Sequence, residues 1–120
     1  LNLLESLRMP KKLTEFAQLF SESLRDGFEN AADGKSVLSV LRRKDALRRP
    51  ERFAQLLRLL KAAHRIDSDE KWLTSVEAVR SLDFRSISES ATDKSRIPQL
   101  IEEASVRAID ETLDKLTDQH

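Results

Sequence analysis

The residues best suited to chemistry in this sequence are the arginines and lysines between positions 42 and 65. This window holds nine basic side chains against two carboxylates, those of Asp45 and Glu51, and therefore carries +7. Because the whole chain is neutral, the remaining residues carry −7. Guanidinium groups bind phosphate oxygens through paired donors, so the asymmetry predicts an anionic, phosphate-bearing partner. The candidate phosphate ligands are Arg42, Arg43, Lys44, Arg48, Arg49, Arg52, Arg58, Lys61 and Arg65.

A second interpretation of the same residues is a solvated face with no binding role. Arginine stems cover apolar surface well, and their charged ends would pair with Asp45 or Glu51. Composition alone does not choose between the two interpretations.

Groups that could catalyse a reaction are scarce. The two histidines are His64, near the end of a predicted helix, and His120, the final residue, and we interpret His64 as a surface or capping residue. There is no cysteine, and two glycines cannot form a phosphate-cradling loop. The acidic residues show no spacing typical of a metal site. We therefore expect no catalytic residue and no metal in this chain.

The basic window must be positioned by a break between two helices. Arg49 precedes Pro50, which disfavours helical backbone before the proline and suits the first turn of a new helix after it. Behind the proline, Phe53, Leu56, Leu57 and Leu60 recur at helical spacing and predict a buried face. The arginines should therefore lie at a fixed corner beside the core.

The remaining pattern predicts an all-α fold, a multi-helix domain of about six or seven helices. No stretch alternates with the period of a strand, and Gly and Pro are rare. The first predicted helices are the end of one over 1–8 before Met9-Pro10, one from Leu13 to a stop at Gly27, and a short one capped by Ser36. A fourth runs from Pro50 to about His64, and a fifth is capped by Asp67 or Ser68 and places Trp72 in the core. A short helix over 84–90 follows, and then a long helix that is capped by Ser95 and frays beyond about Lys115.

The bulk properties indicate one domain of 120 residues with 35% charged side chains. The absence of cysteine fits a reducing compartment, and no apolar run approaches the roughly 18 residues that a membrane span requires. We expect a cytoplasmic protein with no membrane contact. The apolar residues Leu1, Leu3, Leu4 and Leu7 suggest that the first helix began upstream of this chain.

Three segments, taken in order, resemble bacterial tRNA nucleotidyltransferases, the CCA-adding enzymes of the multifunctional type with an HD phosphohydrolase domain. Residues 44–53 (KDALRRPERF) with Leu56-Leu57 resemble that family's D-A-x-R-R-P-x-R segment. Residues 7–13 with 17–19 are similar to its L-R-V-P entry into a helix, and residues 104–109 resemble its closing A-R-x-x-A-I helix.

The resemblance implies a helical C-terminal region of such an enzyme, with tRNA as its partner. Residues 1–34 would be a remnant of the HD-like helical domain, and residues 35–120 the helical body and tail that support the acceptor and T arms. The catalytic head, with its Mg ions and its substrates CTP and ATP, would lie upstream of Leu1. This chain alone would be no enzyme and would need no cofactor, while its parent would be a tRNA nucleotidyltransferase.

The chain also departs from the family pattern. Residues 22–29 lack the histidine of the family's His-Asp pair, so we expect no phosphohydrolase activity. Asp93-Lys94 replaces a Lys-Gly pair, and Ser105 replaces an arginine. An alternative function is a non-catalytic protein-interaction or dimerisation module that uses the apolar faces of the first two helices. The oligomeric state, and whether the parent adds CCA, A alone or poly(A), stay open at this point.

Overall fold

The computed structural model describes residues 11–118, and within them it contains six α-helices and no strand. The predicted all-α fold is therefore confirmed. The helices are α1 (Lys11–Asp26), α2 (Gly34–Arg43), α3 (Pro50–Ala62), α4 (Glu70–Arg80), α5 (Phe84–Ser90) and α6 (Ile97–Asp118), with single 3₁₀ turns at Phe28–Asn30 and Lys94–Arg96. The expected helix over 1–8, its break at Met9-Pro10 and the terminal His120 lie outside the described residues. Between positions 11 and 118, no helix combines the length and the apolar character needed to cross a membrane.

The helix starts differ from the sequence prediction at three caps. The cap of α2 is Asp33, whose carboxylate accepts from the backbone N–H of Ser36 at 2.8 Å. The Ser36 hydroxyl in turn accepts from the Asp33 N–H, which completes a capping box in which Ser36 is the third helical residue. Ahead of α6, Asp93 rather than Ser95 caps the 3₁₀ turn. The first residue of α4 follows Asp69, not the predicted Asp67 or Ser68, and Asp69 makes no side-chain cap hydrogen bond. The Ser68 hydroxyl, one residue earlier, accepts from the Glu70 N–H at 3.1 Å.

Three helices end at a residue with left-handed backbone. Gly27 after α1 has φ +64°, which confirms the predicted stop. Asp45 after α2 and His64 after α3 have φ +57° and +60°, unusual values for residues with a side chain. In both cases the backbone N–H of the following residue donates to the carbonyl of the third residue from the helix end. Ala46 donates to Leu41 and Arg65 donates to Leu60, each at 2.8 Å. These are Schellman motifs without glycine.

The core is centred on α3. Its residues Phe53, Leu56, Leu57 and Leu60 are all buried, as the helical spacing predicted. Trp72 from α4 is also buried, and the Phe28 and Phe53 rings lie 5.1 and 6.2 Å from it, centre to centre. These tilted and edge-on contacts are the favourable geometry for aromatic pairs. Trp72 is thus a core residue, as predicted.

The long helix α6 packs against α2 and α4, whereas α1 packs against α3. Gly34 permits the close approach of α6, since a Cβ atom there would lie 2.5 Å from the Val106 carbonyl oxygen. The Gly34 N–H donates to Asp110 Oδ1 at 2.6 Å. This packing leaves the corner between α2 and α3 next to α1.

Candidate nucleic-acid interface

Two successive backbone features form the corner that carries Arg48 and Arg49. Asp45 turns the chain at the end of α2, and its carbonyl accepts from the Arg49 N–H at 2.9 Å. Pro50 then occupies the first turn of α3, as predicted. Ala46 inside the turn is fully buried. Arg48 and Arg49 therefore project from a turn that is fixed at both ends.

Arg48 and Arg49 share a single carboxylate oxygen. Asp45 Oδ2 lies 2.9 Å from Arg48 Nη2 and 3.6 Å from Arg49 Nε. Arg49 Nη1 is also 3.9 Å from Glu15 Oε2 on α1. Both arginine side chains remain accessible, with 74% and 45% of their surface exposed. The turn therefore presents two guanidiniums to solvent with one carboxylate between them.

Lys44 lies in the interior and not on the predicted surface. Its side chain is 0% exposed, and its ammonium lies 2.5 Å from Asp26 Oδ2 and 3.3 Å from Glu22 Oε1. The ammonium is also 5.4 Å from the centre of the Phe28 ring, a cation–π contact. A phosphate cannot reach this group in the folded chain, so Lys44 is removed from the candidate ligands. The sequence could not show this, because its partners lie on α1.

Asp26 is the carboxylate that compensates the buried ammonium. Burial by itself raises the pKa of Asp26, but the hydrogen bonds from Lys44 and from the Phe28 N–H outweigh it. Together with the positive charges of Lys44 and Arg43, they hold the pKa of Asp26 below its usual value. Arg43 Nη1 lies 4.0 Å from Asp26 and half of the Arg43 side chain is exposed, so it remains accessible to an anion.

Three further arginines of the window are engaged by the protein itself. Arg42 donates to Glu102 on α6 at 2.6 Å, and Arg65 donates to the Leu24 carbonyl at 2.7 Å. Arg52 Nη2 donates to the Lys44 carbonyl at 3.1 Å, while its Nε is buried without a hydrogen-bond partner. These contacts tie the window to α1 and α6.

Arg58 and Lys61, by contrast, are exposed on α3 and make no ion pair with any carboxylate among residues 11–118. Together with Arg43, Arg48 and Arg49 they form the exposed basic set.

A cleft between α1 and α3 brings the corner arginines together with residues that the sequence analysis did not select. It has a volume of about 760 Å³. We call it the arginine cleft; its lining residues are Lys12, Leu13, Glu15, Phe16, Arg48, Arg49, Glu51, Arg52 and Gln55. No local signal marked Lys12 or Glu15, because they join the site only through the packing of α1 on α3. Phe16 on α1 is partly buried and contributes an aromatic ring to the cleft.

Within residues 11–118, the structure forms no group of three or more His, Asp or Glu side chains that could hold a metal ion. His64 is exposed, and its role in the fold is to end α3 in left-handed conformation. The arrangement offers anion binding through guanidiniums.

Comparisons with known proteins agree with the family resemblance noted in the sequence. The chain is 35% identical over 119 residues to the multifunctional CCA protein of Dechloromonas aromatica. This alignment covers 90% of this chain and 29% of that protein. It is 40% identical over 83 residues to the corresponding protein of Aromatoleum aromaticum, over 62% of this chain and 20% of that protein. This chain is homologous to part of the multifunctional CCA proteins.

A third similar protein is the CCA-adding enzyme of Bordetella pertussis, which is 32% identical to this chain over 104 residues. The alignment covers 86% of this chain and 28% of that enzyme. The chain thus spans less than a third of the length of the CCA relatives it matches. No family model and no solved structure matches it.

Proposed function

We propose that this chain is a tRNA-binding region of a CCA-adding tRNA nucleotidyltransferase-like protein and that it holds tRNA through backbone phosphates. The observation that carries the proposal is the pair Arg48 and Arg49, exposed on a rigid turn with one carboxylate between them. Both guanidiniums are exposed, at 74% and 45%, so a phosphate can compete with Asp45 and with the more distant Glu15, 3.9 Å from Arg49. The homology to CCA-adding enzymes supports tRNA as the polyanion.

The ion pairs of these arginines do not preclude phosphate binding. Pairs between exposed side chains contribute only about 0–1 kcal/mol, because water and salt screen them. The Arg48–Asp45 and Arg43–Asp26 pairs have exposed guanidiniums, and the second has its atoms 4.0 Å apart. A phosphate that forms a bidentate contact competes with such a pair at little cost.

The expected mode of binding follows the shape and backbone of the RNA. The exposed basic set consists of arginine and lysine ends, which bind phosphates and carry no preference for base sequence in a duplex. We assign the chain a holding role. The transfer chemistry, with its Mg ions, CTP and ATP, would belong to another part of the parent protein.

A filter-binding titration of tRNA over a series of salt concentrations tests this function. Each lost phosphate contact should make the plot of log affinity against log salt less steep by about 0.7–1. We expect the double variant Arg48→Ala/Arg49→Ala to bind more weakly and with a shallower slope. Arg85→Ala is the matched control, because Arg85 is 88% exposed and pairs with a carboxylate four residues away.

Two results would remove the proposal. One is no tRNA binding by the unmodified chain at low salt. The other is an Arg48→Ala/Arg49→Ala variant that binds as tightly as the Arg85→Ala control does.

The dimerisation alternative is favoured by one observation, the 51% exposure of Leu13 on α1. A large apolar side chain on the surface is a candidate contact between chains. Sedimentation at several concentrations tests this, with Leu13→Ser as the variant. A concentration-dependent shift that Leu13→Ser abolishes would favour self-association, whereas a monomer at all concentrations would exclude it.

A further inference from the structure

We infer that the arginine cleft binds a single nucleoside phosphate, with its phosphate on Arg48 and Arg49 and its base against Phe16 and Leu13. This inference rests on the proposed function, since it uses the same two arginines. It goes further in adding a pocket that recognises one nucleotide, whereas the exposed basic set recognises only charge.

The charge of the cleft fits a phosphate group. Its lining has four cationic side chains, those of Lys12, Arg48, Arg49 and Arg52, against the carboxylates of Glu15 and Glu51. A third carboxylate, that of Asp45, pairs with Arg48 and Arg49 from the turn. The four cations exceed these three carboxylates by one positive charge, the sign that attracts a phosphate monoester, which carries about −2 near neutral pH. Guanidinium groups, moreover, provide the paired donors that phosphate oxygens accept.

The apolar part of the lining fits a base. Leu13 is exposed for half of its surface and Phe16 is only partly buried, so both present apolar area within the cleft. Aromatic side chains beside basic ones are the usual platform for an unpaired base, which stacks whatever its identity. A site for inorganic phosphate alone would not need this apolar area.

The polar residues of the cleft complete a nucleotide-sized site. Glu15, Glu51 and Gln55 supply oxygen acceptors suited to the hydroxyls of ribose and the amino groups of bases. Arg52 is already held by the Lys44 carbonyl, so its guanidinium loses little freedom when a ligand binds. The volume of about 760 Å³ lies within the range of about 300–1,000 Å³ typical of small-ligand sites.

Two sources could supply such a ligand, a free nucleotide or an unpaired nucleotide of an RNA strand. NMR amide shifts of the isotope-labelled chain, titrated with adenosine 5′-monophosphate, adenosine and inorganic phosphate, test the shared chemistry. We expect saturable shifts at Lys12, Phe16, Arg49 and Gln55 with the monophosphate, and binding about tenfold weaker or worse for the other two probes. Phosphate that binds as well as the nucleotide would overturn the inference, and so would shifts that spread equally to Arg58 and Lys61.

Matched variants test the two halves of the site. Phe16→Leu keeps the apolar volume but removes the ring, and it should weaken binding of the monophosphate several-fold. Phe84→Leu is the control, because Phe84 is a partly buried phenylalanine outside the cleft. Should Phe16→Leu fail to fold by circular dichroism, Arg49→Gln replaces it, with Arg85→Gln as its control. Nucleotide binding that is unchanged in a folded variant would contradict the inference.

A short oligoadenylate distinguishes the two sources. If the oligonucleotide shifts the cleft residues and the monophosphate does not, the ligand is a nucleotide of an RNA strand; if both do, the site accepts free nucleotide. If neither does, the nucleotide site is excluded, while salt-dependent tRNA binding still decides the proposed function separately. Conversely, the monophosphate could bind while tRNA does not, and that result would reject the proposed function alone.

Discussion

The ammonium of Lys44 and the carboxylate of Asp26 form a contact of 2.5 Å between residues 18 positions apart. A lysine between Arg43 and Asp45 in a charged sequence is expected to be solvated, and only the packing of α1 makes it interior. Burying a charge is unfavourable unless a partner and hydrogen bonds compensate it, and here Asp26, Glu22 and the Phe28 ring do so. At the residue scale, the sequence therefore predicts charge but not which charges are enclosed.

Replacing Lys44 by alanine should lower the free energy of unfolding by about 3 kcal/mol, because it leaves a cavity and removes the partner of a partly buried carboxylate. Urea unfolding followed by circular dichroism measures the change. Lys61→Ala is the control, since Lys61 is exposed, and it should change stability by less than about 0.5 kcal/mol. Equal stability of the two variants would contradict the burial of Lys44.

The lowered pKa of Asp26 predicts a loss of stability in acid. A carboxyl whose pKa is lower in the folded than in the unfolded chain contributes stability at pH values above its unfolded pKa. That contribution is lost as the pH falls through the folded value, so the loss should occur below about pH 4. Unfolding free energies measured down this range should fall more steeply for the unmodified chain than for Asp26→Asn.

Asp33, Asp83 and Asp93 also have pKa values below normal, each because a neighbouring serine hydroxyl and backbone N–H donate to it. These three carboxyls are present in both proteins, so the difference between them isolates Asp26. Identical pH dependence of the two proteins would count against the Asp26 contact.

At the scale of elements, helical periodicity predicted which segments are helices but not how they begin and end. The buried face of α3 follows directly from the spacing of apolar residues, and α5 has the predicted bounds, although none of its residues is buried. The cap of α2 was expected at Ser36 but is Asp33, three residues earlier. A capping box contains two polar residues three positions apart, and the sequence does not show which of the two begins the helix. The left-handed positions of Asp45 and His64 carried no glycine to mark them.

The missing glycine at the end of α3 predicts a stabilising substitution. A residue with a Cβ atom in left-handed backbone is strained by roughly 1–2 kcal/mol, whereas glycine adopts this conformation freely. We expect His64→Gly to raise the free energy of unfolding by about 0.5–1 kcal/mol after the extra freedom of glycine in the unfolded chain is deducted. Ala63→Gly, one position earlier with φ −86°, should have the opposite effect. Chemical denaturation of both variants decides, and destabilisation by His64→Gly would contradict the Schellman motif.

At the scale of the molecule, the charge asymmetry is clear from the sequence, but the structure determines how much of it is available. Eight of the nine candidate ligands keep some surface, and one of these, Arg42, is tied to Glu102 across the contact between α2 and α6. The arginine cleft could not be predicted, because four of its nine lining residues come from a helix more than thirty positions earlier in the chain. The RNA-binding assignments of the individual arginines stay predictions.

Removal of the Arg42–Glu102 ion pair should increase the affinity of the chain for tRNA. Glu102→Gln should free Arg42 for phosphate and raise tRNA affinity about two- to fivefold at low salt, the range expected from an exposed pair. Glu103→Gln is the matched control, because it removes the same charge from the adjacent residue, which binds Gln99 and no arginine. Filter binding of both variants measures the difference. Equal affinities would show that Arg42 takes no part in binding.

Asp45 combines two demands that elsewhere fall on different residues. Its backbone must adopt the left-handed turn, and its carboxylate must hold both neighbouring guanidiniums. Glycine would satisfy the first demand and leave both arginines without their shared partner, whereas glutamate would keep the charge and fit the turn poorly. The path of the chain and the electrostatics of the binding corner are therefore coupled at one position, and neither can be adjusted there without altering the other.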